Sequence, residues 1–212
     1  MKAPAYLFSL SEHPDTINIP SLSIKFFQPD IIFEKYDYLI LTSKQAVEAL
    51  QQYNSELYSH KKALCISKKT AEAFREIGGT TLEVANGYGT NLSDSIINYP
   101  KETKWLYLRA TIVASNFSEI TRQKGYSIEE KIVYESSCSQ EIQNCLVETD
   151  ATLIFTSPSS VECFLKHHKI LPSNHVVVIG RTTAKALPLG TLYKIAKENT
   201  IDSCVQTYLA SY

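Results

Sequence analysis

Hydroxyl side chains recur at four places in the chain, each time between a short apolar run and a helical pattern. Two of these turns are Thr42-Ser43 and Ser67–Thr70, and the other two are Thr156-Ser157 and Gly180–Thr183. A turn that enters a helix presents unpaired backbone N–H groups, which carry partial positive charge and bind carboxylate or phosphate. The four turns together predict contacts with a ligand that has several anionic groups. For any single turn, a Ser or Thr that only caps its helix is the simpler explanation.

Basic residues lie at or just after the same strand ends, where they could pair with carboxylates of a ligand. Arg109 is the strongest candidate, because it directly follows the apolar run Trp105–Leu108. The alternative for each of these side chains is a solvated position on the surface. The full set is Lys44, Lys68, Lys69, Arg109, Arg181 and Lys185.

Tyr134 is the candidate for proton transfer, because it stands at the end of the predicted strand Ile128–Glu135. A phenol there can donate a proton to a leaving oxygen. Most of the 13 tyrosines in the chain are expected to serve packing instead. The motifs GxSxG, GxxxxGK[ST] and GxGxxG do not occur in the sequence, so an activated serine or a nucleotide cofactor has little support.

The four turns belong to an internal duplication. Residues 38–50 read YLILTSKQAVEAL, and residues 152–165 read TLIFTSPSSVECFL. A second pair, ALCISKKTAEAFREIG and VVVIGRTTAKALPLG, follows at nearly the same spacing. The period is far too long for a solenoid, so it indicates two similar lobes.

Strands alternate with helices through both copies, which is typical of βαβ units around a parallel sheet. The run Tyr38–Leu41 is continuously apolar, as expected of a strand that is buried on both faces. The first copy continues into a further strand at Trp105, whereas the second copy has no such continuation. We therefore expect the run Ala5–Leu10 to provide the missing strand of the second sheet. The polar stretch Ser11–Pro20, with its two prolines, predicts a loop.

This assignment predicts two lobes. One consists of residues 1–22 plus 139–212, and the other of residues 29–136. The chain crosses between them twice, at 23–28 and 133–138, which favours a two-stranded hinge. We expect the four turns to lie on the two walls of one cleft, because ligands of such sheets bind outside the carboxyl ends of the strands.

Composition limits the function further. The formal net charge of the 212 residues is −1, so no basic field attracts nucleic acid or an acidic membrane. The five cysteines are odd in number and lack CxxC spacing, so neither a disulfide framework nor a zinc site is expected. This pattern is typical of a protein in a reducing cytoplasm. Cys65 and Cys163 are interpreted as small core residues. The first residues, interrupted by Pro4, make a poor signal peptide, and no run approaches the roughly 18 apolar residues of a membrane span.

One set of motifs resembles a known family. The chain contains FTSPSSVECF, then IGRTTAKAL, and before them LRA after a strand and IVY at the end of the next strand. In order and spacing these motifs resemble uroporphyrinogen-III synthase, and the likeness extends from about Tyr38 to the last helix. The resemblance implies two flavodoxin-like, doubly wound parallel-sheet lobes joined by a two-stranded linker. It also implies a lyase that closes linear hydroxymethylbilane to uroporphyrinogen III, with loss of water and inversion of the last pyrrole through a spiro intermediate.

The resemblance assigns roles to individual residues. Tyr134 matches the family tyrosine that is thought to assist departure of the hydroxyl, and four further residues match positions that line the family cleft: Thr70, Ser157, Thr182 and Thr183. The substrate implied by the family carries eight carboxylates, which suits four anion-binding turns. No metal and no organic cofactor is implied. The family usually opens with a strand that ends in Arg-Pro and leads into a helix, whereas this chain has Ser-Leu-Ser-Glu-His-Pro with little room for a helix.

Two other function classes stay open at this point. The first is a non-catalytic, bilobal binding or regulatory module for an anionic small molecule, and the second is a nucleotide-dependent enzyme on a flavodoxin-like sheet. For the synthase we expect a cytoplasmic monomer that binds hydroxymethylbilane and neither nucleic acid nor a membrane. A transient contact with the preceding pathway enzyme is compatible with this interpretation.

Overall fold

The structure is a computed structural model that describes residues 3–85, 89–113 and 115–210, with the backbone alone at 89 and 90. The strands of this part of the chain are β1 (Ala5–Phe8), β2 (Ile17–Ile19), β3 (Leu22–Phe26), β4 (Tyr38–Leu41), β5 (Lys62–Cys65), β6 (Thr80–Val84), β7 (Lys104–Ala110), β8 (Ser127–Cys138), β9 (Thr152–Phe155), β10 (His175–Val178) and β11 (Lys194–Ile195). The helices are α1 (Lys44–Leu50), α2 (Lys68–Glu76), α3 (Gly89–Ile96), α4 (Phe117–Gln123), α5 (Gln140–Asn144), α6 (Pro158–His167), α7 (Arg181–Ala184) and α8 (Ile201–Leu209).

The chain divides into two compact units, each with its own sheet. Unit 1 comprises Met1–Ser23 and Ser137–Tyr212, and unit 2 comprises Ile24–Ser136. The strand order is β11-β10-β9-β1-β2 in the first sheet and β3-β8-β7-β4-β5-β6 in the second. β1 pairs in parallel with β2, β9 with β10, and β4 with β5. The fold is therefore a mixed α/β fold with parallel sheets. The boundaries between the units fall within β3 and β8.

Unit 2 buries both faces of its sheet, which explains the unbroken apolar run in β4. Leu39 and Leu41 point into one cluster, which also contains Phe74 of α2. Ile40 points into the opposite cluster, together with Phe117 of α4. Because successive side chains of a strand face opposite sides, a strand between two helical layers needs apolar residues at every position.

Unit 1 follows the same rule. Leu153 and Phe155 of β9 pack on one face of the sheet with Phe164 of α6. Ile154 lies on the other face and packs in a cluster with Val205 of α8. Each unit is therefore a sheet between two layers with an apolar core on both sides.

The N-terminal strand occupies the place that the duplication predicts. Ala5–Phe8 pairs in parallel with Thr152–Phe155, just as β7 pairs in parallel with β4 in the other sheet. The two copies of the repeat are thus completed by strands from different parts of the chain. The prediction that the first strand joins the C-terminal sheet is confirmed.

The prediction of a loop over Ser11–Pro20 is wrong at its end. Ile17–Ile19 forms β2 and pairs with Tyr6–Phe8. The side chain of Asn18 makes this possible, because its amide donates to the His13 carbonyl oxygen at 3.0 Å and its oxygen accepts from the His13 N–H at 2.9 Å. A turn closed by these bonds takes the place of the crossover helix that usually separates parallel neighbours.

The prediction for the cysteines is also wrong for one pair. Cys138, at the end of β8, forms a disulfide with Cys163 of α6 across a Cα–Cα distance of 5.4 Å. Cys163 is therefore not a free core thiol, whereas Cys65 is buried and free as expected. An odd cysteine count excludes complete pairing but not a single bridge, which depends on distances that only the fold sets.

None of the helices in the described residues is both long and apolar enough to cross a membrane.

Candidate functional site

The hydroxyl turns of unit 2 follow β4 and β5, whose carboxyl ends lie side by side. Ser43 caps α1 by accepting from the Ala46 N–H at 3.1 Å, and Ser67 caps α2 by accepting from the Thr70 N–H at 3.3 Å. Thr70 is buried, and its hydroxyl contacts Ser67 Oγ at 3.1 Å. Lys69 is exposed in the first turn of α2. Both serines therefore cap their helices. The other backbone N–H groups of each first turn have no hydrogen-bond acceptor within the helix.

Tyr134 reaches this edge because of an irregularity in β8. Arg109 lies opposite Ile132, but Ala110 lies opposite Tyr134, so Val133 is an extra residue on the β8 side. An extra residue of this kind reverses the facing of the side chains that follow it. Val133 and Tyr134 accordingly both belong to the cluster on the α1 side of the sheet. The Tyr134 hydroxyl is thereby directed at Ser43, whose Oγ lies 2.8 Å away.

A cavity of about 260 Å³ lies at this end of the unit 2 sheet. Four hydroxyl side chains line it: Thr42, whose hydroxyl lies 3.1 Å from that of Tyr107, together with Ser115 and Tyr134. The rest of the lining is largely apolar. The residues that line the cavity are Thr42, Ile66, Leu92, Tyr107, Ala110, Ile112, Val113, Ser115, Phe117 and Tyr134.

Burial keeps both phenols protonated. It raises the pKa of Tyr134, and the hydrogen bond with Ser43 offsets only part of this rise. Burial likewise raises the pKa of Tyr107, against the smaller opposing effect of its bond to Thr42. Both hydroxyls can therefore act as hydrogen-bond donors at neutral pH.

Arg109 does not join the cavity lining. Its Nε donates to Glu130 Oε2 at 2.6 Å, and its Nη1 donates to the carbonyl oxygens of Ala110 and Thr111 at 2.8 and 3.1 Å. The guanidinium is thus engaged within unit 2, beside the cavity rather than in it.

The first turn of unit 1 follows β9. Ser157 caps α6 by accepting from the Ser160 N–H at 3.1 Å, and Ser160 Oγ in return accepts from the Ser157 N–H at 3.2 Å. Pro158 occupies the first helical position. The Thr156 hydroxyl donates to the Phe8 carbonyl oxygen at 3.2 Å, which ties β9 to β1. This turn combines a reciprocal cap with a fixed helix start.

The second turn of unit 1 follows β10. Gly180 precedes α7, and a Cβ at this position would lie 2.9 Å from Asn199 Oδ1. A larger residue would displace the end of that side chain, so glycine allows the close approach without any rearrangement. Arg181 and Thr182 are exposed, whereas Thr183 is buried. The two exposed residues are the ones placed to meet a ligand from solvent.

A family model described as uroporphyrinogen-III synthase HemD matches residues 15–206 of the chain. The chain belongs to the uroporphyrinogen-III synthase family. Its function therefore lies in tetrapyrrole biosynthesis, and its activity is that of a cyclising lyase. A search of the curated proteins finds no match.

Solved structures of uroporphyrinogen-III synthases share the fold. The enzyme from Helicobacter pylori superposes with a TM-score of 0.83 at 21% identity, over 100% of both chains. A mutant of the Thermus thermophilus enzyme superposes with a TM-score of 0.60 at 15% identity, over 93% of this chain and 90% of that one. The fold is thus retained at low sequence identity.

Sequence reasoning missed Tyr107 and the apolar wall of Ile112 and Val113. Tyr107 stands inside the run WLYL, which is typical of a buried strand, and its hydroxyl has no helix to cap. One feature could have indicated Tyr107. In the pairing of β7 with β4, Tyr107 lies opposite Ile40, and Ile40 stands two residues before Thr42. Side chains two apart share a face, so a polar group on Tyr107 could reach Thr42.

Within the described residues, no group of three or more His, Cys, Asp or Glu side chains is arranged to hold a metal ion.

Proposed function

We propose that the unit 2 cavity receives the hydroxymethyl end of hydroxymethylbilane and that Tyr134 assists departure of its hydroxyl. The observation that carries the proposal is the Tyr134–Ser43 contact at 2.8 Å within a largely apolar cavity. A phenol that is held in place and kept protonated is a suitable donor to a leaving oxygen. An apolar surrounding strengthens that hydrogen bond, because less water competes for it.

The proposed chemical step is loss of water driven by the pyrrole. The nitrogen lone pair of the terminal ring pushes out the hydroxyl, the C–O bond breaks, and the phenol proton leaves with the oxygen as water. The product is an azafulvenium cation, and the carbon of the last ring that carries the bridge to the third ring attacks it to form the spiro intermediate. The bond from this carbon to its original bridging methylene then breaks, which leaves a second azafulvenium cation at that methylene. The free α-carbon of the last ring bonds to this methylene, which closes the macrocycle with the ring inverted. The proton released when the macrocycle regains aromaticity returns to the phenolate, so atoms and charge balance over the cycle.

Ser43 supports this step in the proposal. Its Oγ accepts from the Ala46 N–H at 3.1 Å, so its own proton is available for the Tyr134 oxygen. A proton donated from Ser43 leaves the phenol O–H directed away from the serine and toward the ligand. The same bond stabilises a transient phenolate, since it lowers the pKa of Tyr134 relative to burial alone.

The carboxylates of the substrate are proposed to bind at helix starts. The first turns of α2 and α6 are the best candidates, because both helices have a serine cap and two or more turns behind it. Lys69 is exposed in the first turn of α2, and Arg181 is exposed in the first turn of α7. The other proposed binding residues are Thr42, Ser43, Ser67, Thr70, Thr156, Ser157, Gly180, Thr182 and Thr183.

The setting is also part of the proposal. We propose that each unit is a flavodoxin-like domain and that β3 and β8 form the two-stranded connection. The separate cores of the two units support this division. A cytoplasmic monomer that binds no nucleic acid is proposed from the sequence, although the cysteines no longer support a reducing compartment, since Cys138 and Cys163 are bridged.

The decisive experiment supplies purified protein with hydroxymethylbilane and separates the products by isomer. We expect uroporphyrinogen III in excess over the type I isomer that forms without an enzyme. Production of the type I isomer alone would contradict the proposal and favour a non-catalytic binding module. Retention of a nucleotide by the purified protein would instead favour a nucleotide-dependent enzyme.

A further inference from the structure

A carboxylate beside the cavity receives three hydrogen bonds. Glu130 of β8 accepts from Arg109 Nε at 2.6 Å, from Arg122 Nη1 at 2.9 Å and from Ser118 Oγ at 2.6 Å. The Glu130 and Arg109 side chains are each 20% exposed. Ser118 and Arg122 stand four residues apart on α4, so they present one face of that helix to the carboxylate. The cluster therefore connects β7, β8 and α4 at a single group.

The same arginine also holds the backbone that forms a cavity wall. Arg109 Nη1 donates to the carbonyl oxygens of Ala110 and Thr111, directly before Ile112 and Val113. The Thr111 N–H donates to the Tyr134 carbonyl oxygen at 3.0 Å. One guanidinium thus fixes the start of the segment 110–113, and one backbone bond ties that segment to the strand of Tyr134.

Apolar packing contributes little to the position of Ile112 and Val113. Ile112 is 84% exposed and Val113 is 38% exposed, so neither gains its position from burial in a core. Both nevertheless line the cavity together with Ala110. Ala110 is packed in the apolar cluster of unit 2, but the residues after it lack such packing and depend on polar contacts for their conformation.

We propose that Arg109 and Glu130 are positioning residues that clamp the segment 110–113 as the wall of the substrate cavity. The inference rests on the proposed function of that cavity. It replaces the role first assigned to Arg109, since the guanidinium contacts Glu130 and two carbonyls instead of a substrate carboxylate. Arginine suits this task better than lysine, because its planar fork donates in several fixed directions at once.

The charge of Glu130 fits the clamp. Burial raises the pKa of its carboxyl, but the hydrogen bonds from Ser118 and Arg122 and the charge of Arg109 outweigh that effect, and the net pKa is lowered. The group is therefore ionised at neutral pH and forms charge-assisted bonds with both arginines.

The test measures KM and kcat separately for formation of uroporphyrinogen III. We expect Arg109→Met to raise KM on the order of tenfold, because a displaced wall weakens substrate positioning, with kcat changed by less than about twofold. Glu130→Gln is expected to act in the same direction. The double variant should be no worse than Arg109→Met alone, because both changes disable one clamp. Loss of folded protein would lower apparent kcat and leave KM unchanged, which separates positioning from a merely structural role.

Glu129→Gln is the matched control. Glu129 precedes Glu130 on the same strand, pairs with Lys131 at 3.2 Å and is 52% exposed, so its KM should equal that of the wild type. A KM within twofold of wild type for folded Arg109→Met would overturn the clamp. If Arg109→Met does not fold, a KM within twofold of wild type for folded Arg109→Lys or Glu130→Gln would overturn the clamp. A wild type that yields only the type I isomer would instead overturn the function of the cavity.

Discussion

The Tyr134 hydroxyl lies 2.8 Å from Ser43 Oγ, and the side chain is only 8% exposed. At the scale of single residues, Tyr134 shares this environment with Tyr107, which lines the same cavity and contacts the Thr42 hydroxyl at 3.1 Å, and differs in it from tyrosines outside the cavity. Tyr53, for comparison, donates its hydroxyl to the Pro29 carbonyl oxygen at 2.7 Å outside the cavity. The sequence could identify Tyr134 as a strand-end tyrosine, but not its serine partner, which is 91 residues away.

Replacing Tyr134 by phenylalanine should lower kcat by about 10- to 100-fold, at or below the lower end of the roughly 100- to 10,000-fold range for a general acid, because the pyrrole nitrogen supplies much of the driving force. KM should change little. The fold should persist, since one lost hydrogen bond costs about 1 kcal/mol. Tyr53→Phe removes a comparable hydroxyl in the same unit and should leave kcat intact. Equal rates for wild type and Tyr134→Phe would exclude the proton-donor role.

The pH dependence of activity should reflect the buried phenol. Burial raises the pKa of Tyr134 above its usual value of 10.0, so the donor form is fully populated at neutral pH. The rate should therefore have no falling limb from this group until the pH exceeds about 10. A pH profile of kcat, recorded on a timescale in which the protein stays folded, checks this. The result that would contradict the raised pKa of Tyr134 is a fall in kcat with an apparent pKa well below 10, provided that this fall is absent from the profile of Tyr134→Phe.

At the scale of elements, the duplication explains which strand ends meet and where helices begin. Ser43, Ser67 and Ser157 all cap their helices, as local spacing predicts, because a cap depends on residues only three positions apart. The irregularity in β8 was not predictable in this way. It appears only when β8 is paired with β7, since an extra residue is defined by its partner strand.

The disulfide leads to a prediction about unit 1. It closes a stretch of 25 residues between β8 and α6, so its loss should lower the free energy of unfolding by about 2–4 kcal/mol. Urea unfolding of the oxidised protein and of Cys138→Ser measures this difference. A thiol reductant should destabilise the wild type and have no further effect on Cys138→Ser. If native protein shows free thiols at Cys138 and Cys163 as well as at Cys65, Cys145 and Cys204, the bridge is absent.

At the scale of the whole molecule, the two units are built differently along the chain. Unit 2 is continuous, whereas unit 1 needs both ends of the chain, because β1 lies between β9 and β2 in its sheet. The prediction for the cysteines failed here because a bridge depends on which distant segments become neighbours, and local composition carries no information about that. The loop assignment over Ser11–Pro20 failed for a local reason, since β2 pairs with β1 across a turn that the Asn18 side chain closes.

This difference predicts how fragments behave. A fragment of residues 24–136 should fold by itself, because it contains a core on both faces of its sheet. A chain that lacks residues 1–10 should lose the fold of unit 1 and keep that of unit 2, since removal of β1 leaves the β9 edge uncovered. Circular dichroism and amide NMR spectra of both fragments test this. An unfolded 24–136 fragment would contradict the division into independent domains.

The sequence by itself determined the strand and helix alternation, the two copies, the caps and the family motifs, because these depend on residues close in the chain. It also indicated that β1 belongs to the sheet of the C-terminal copy, in unit 1, because that copy lacked a strand. Only the tertiary structure decided that Tyr134 meets Ser43, that Tyr107 joins Thr42, and that Arg109 contacts Glu130 rather than the cavity. These contacts join strands and helices that are far apart in sequence, and their geometry is set by sheet register and packing.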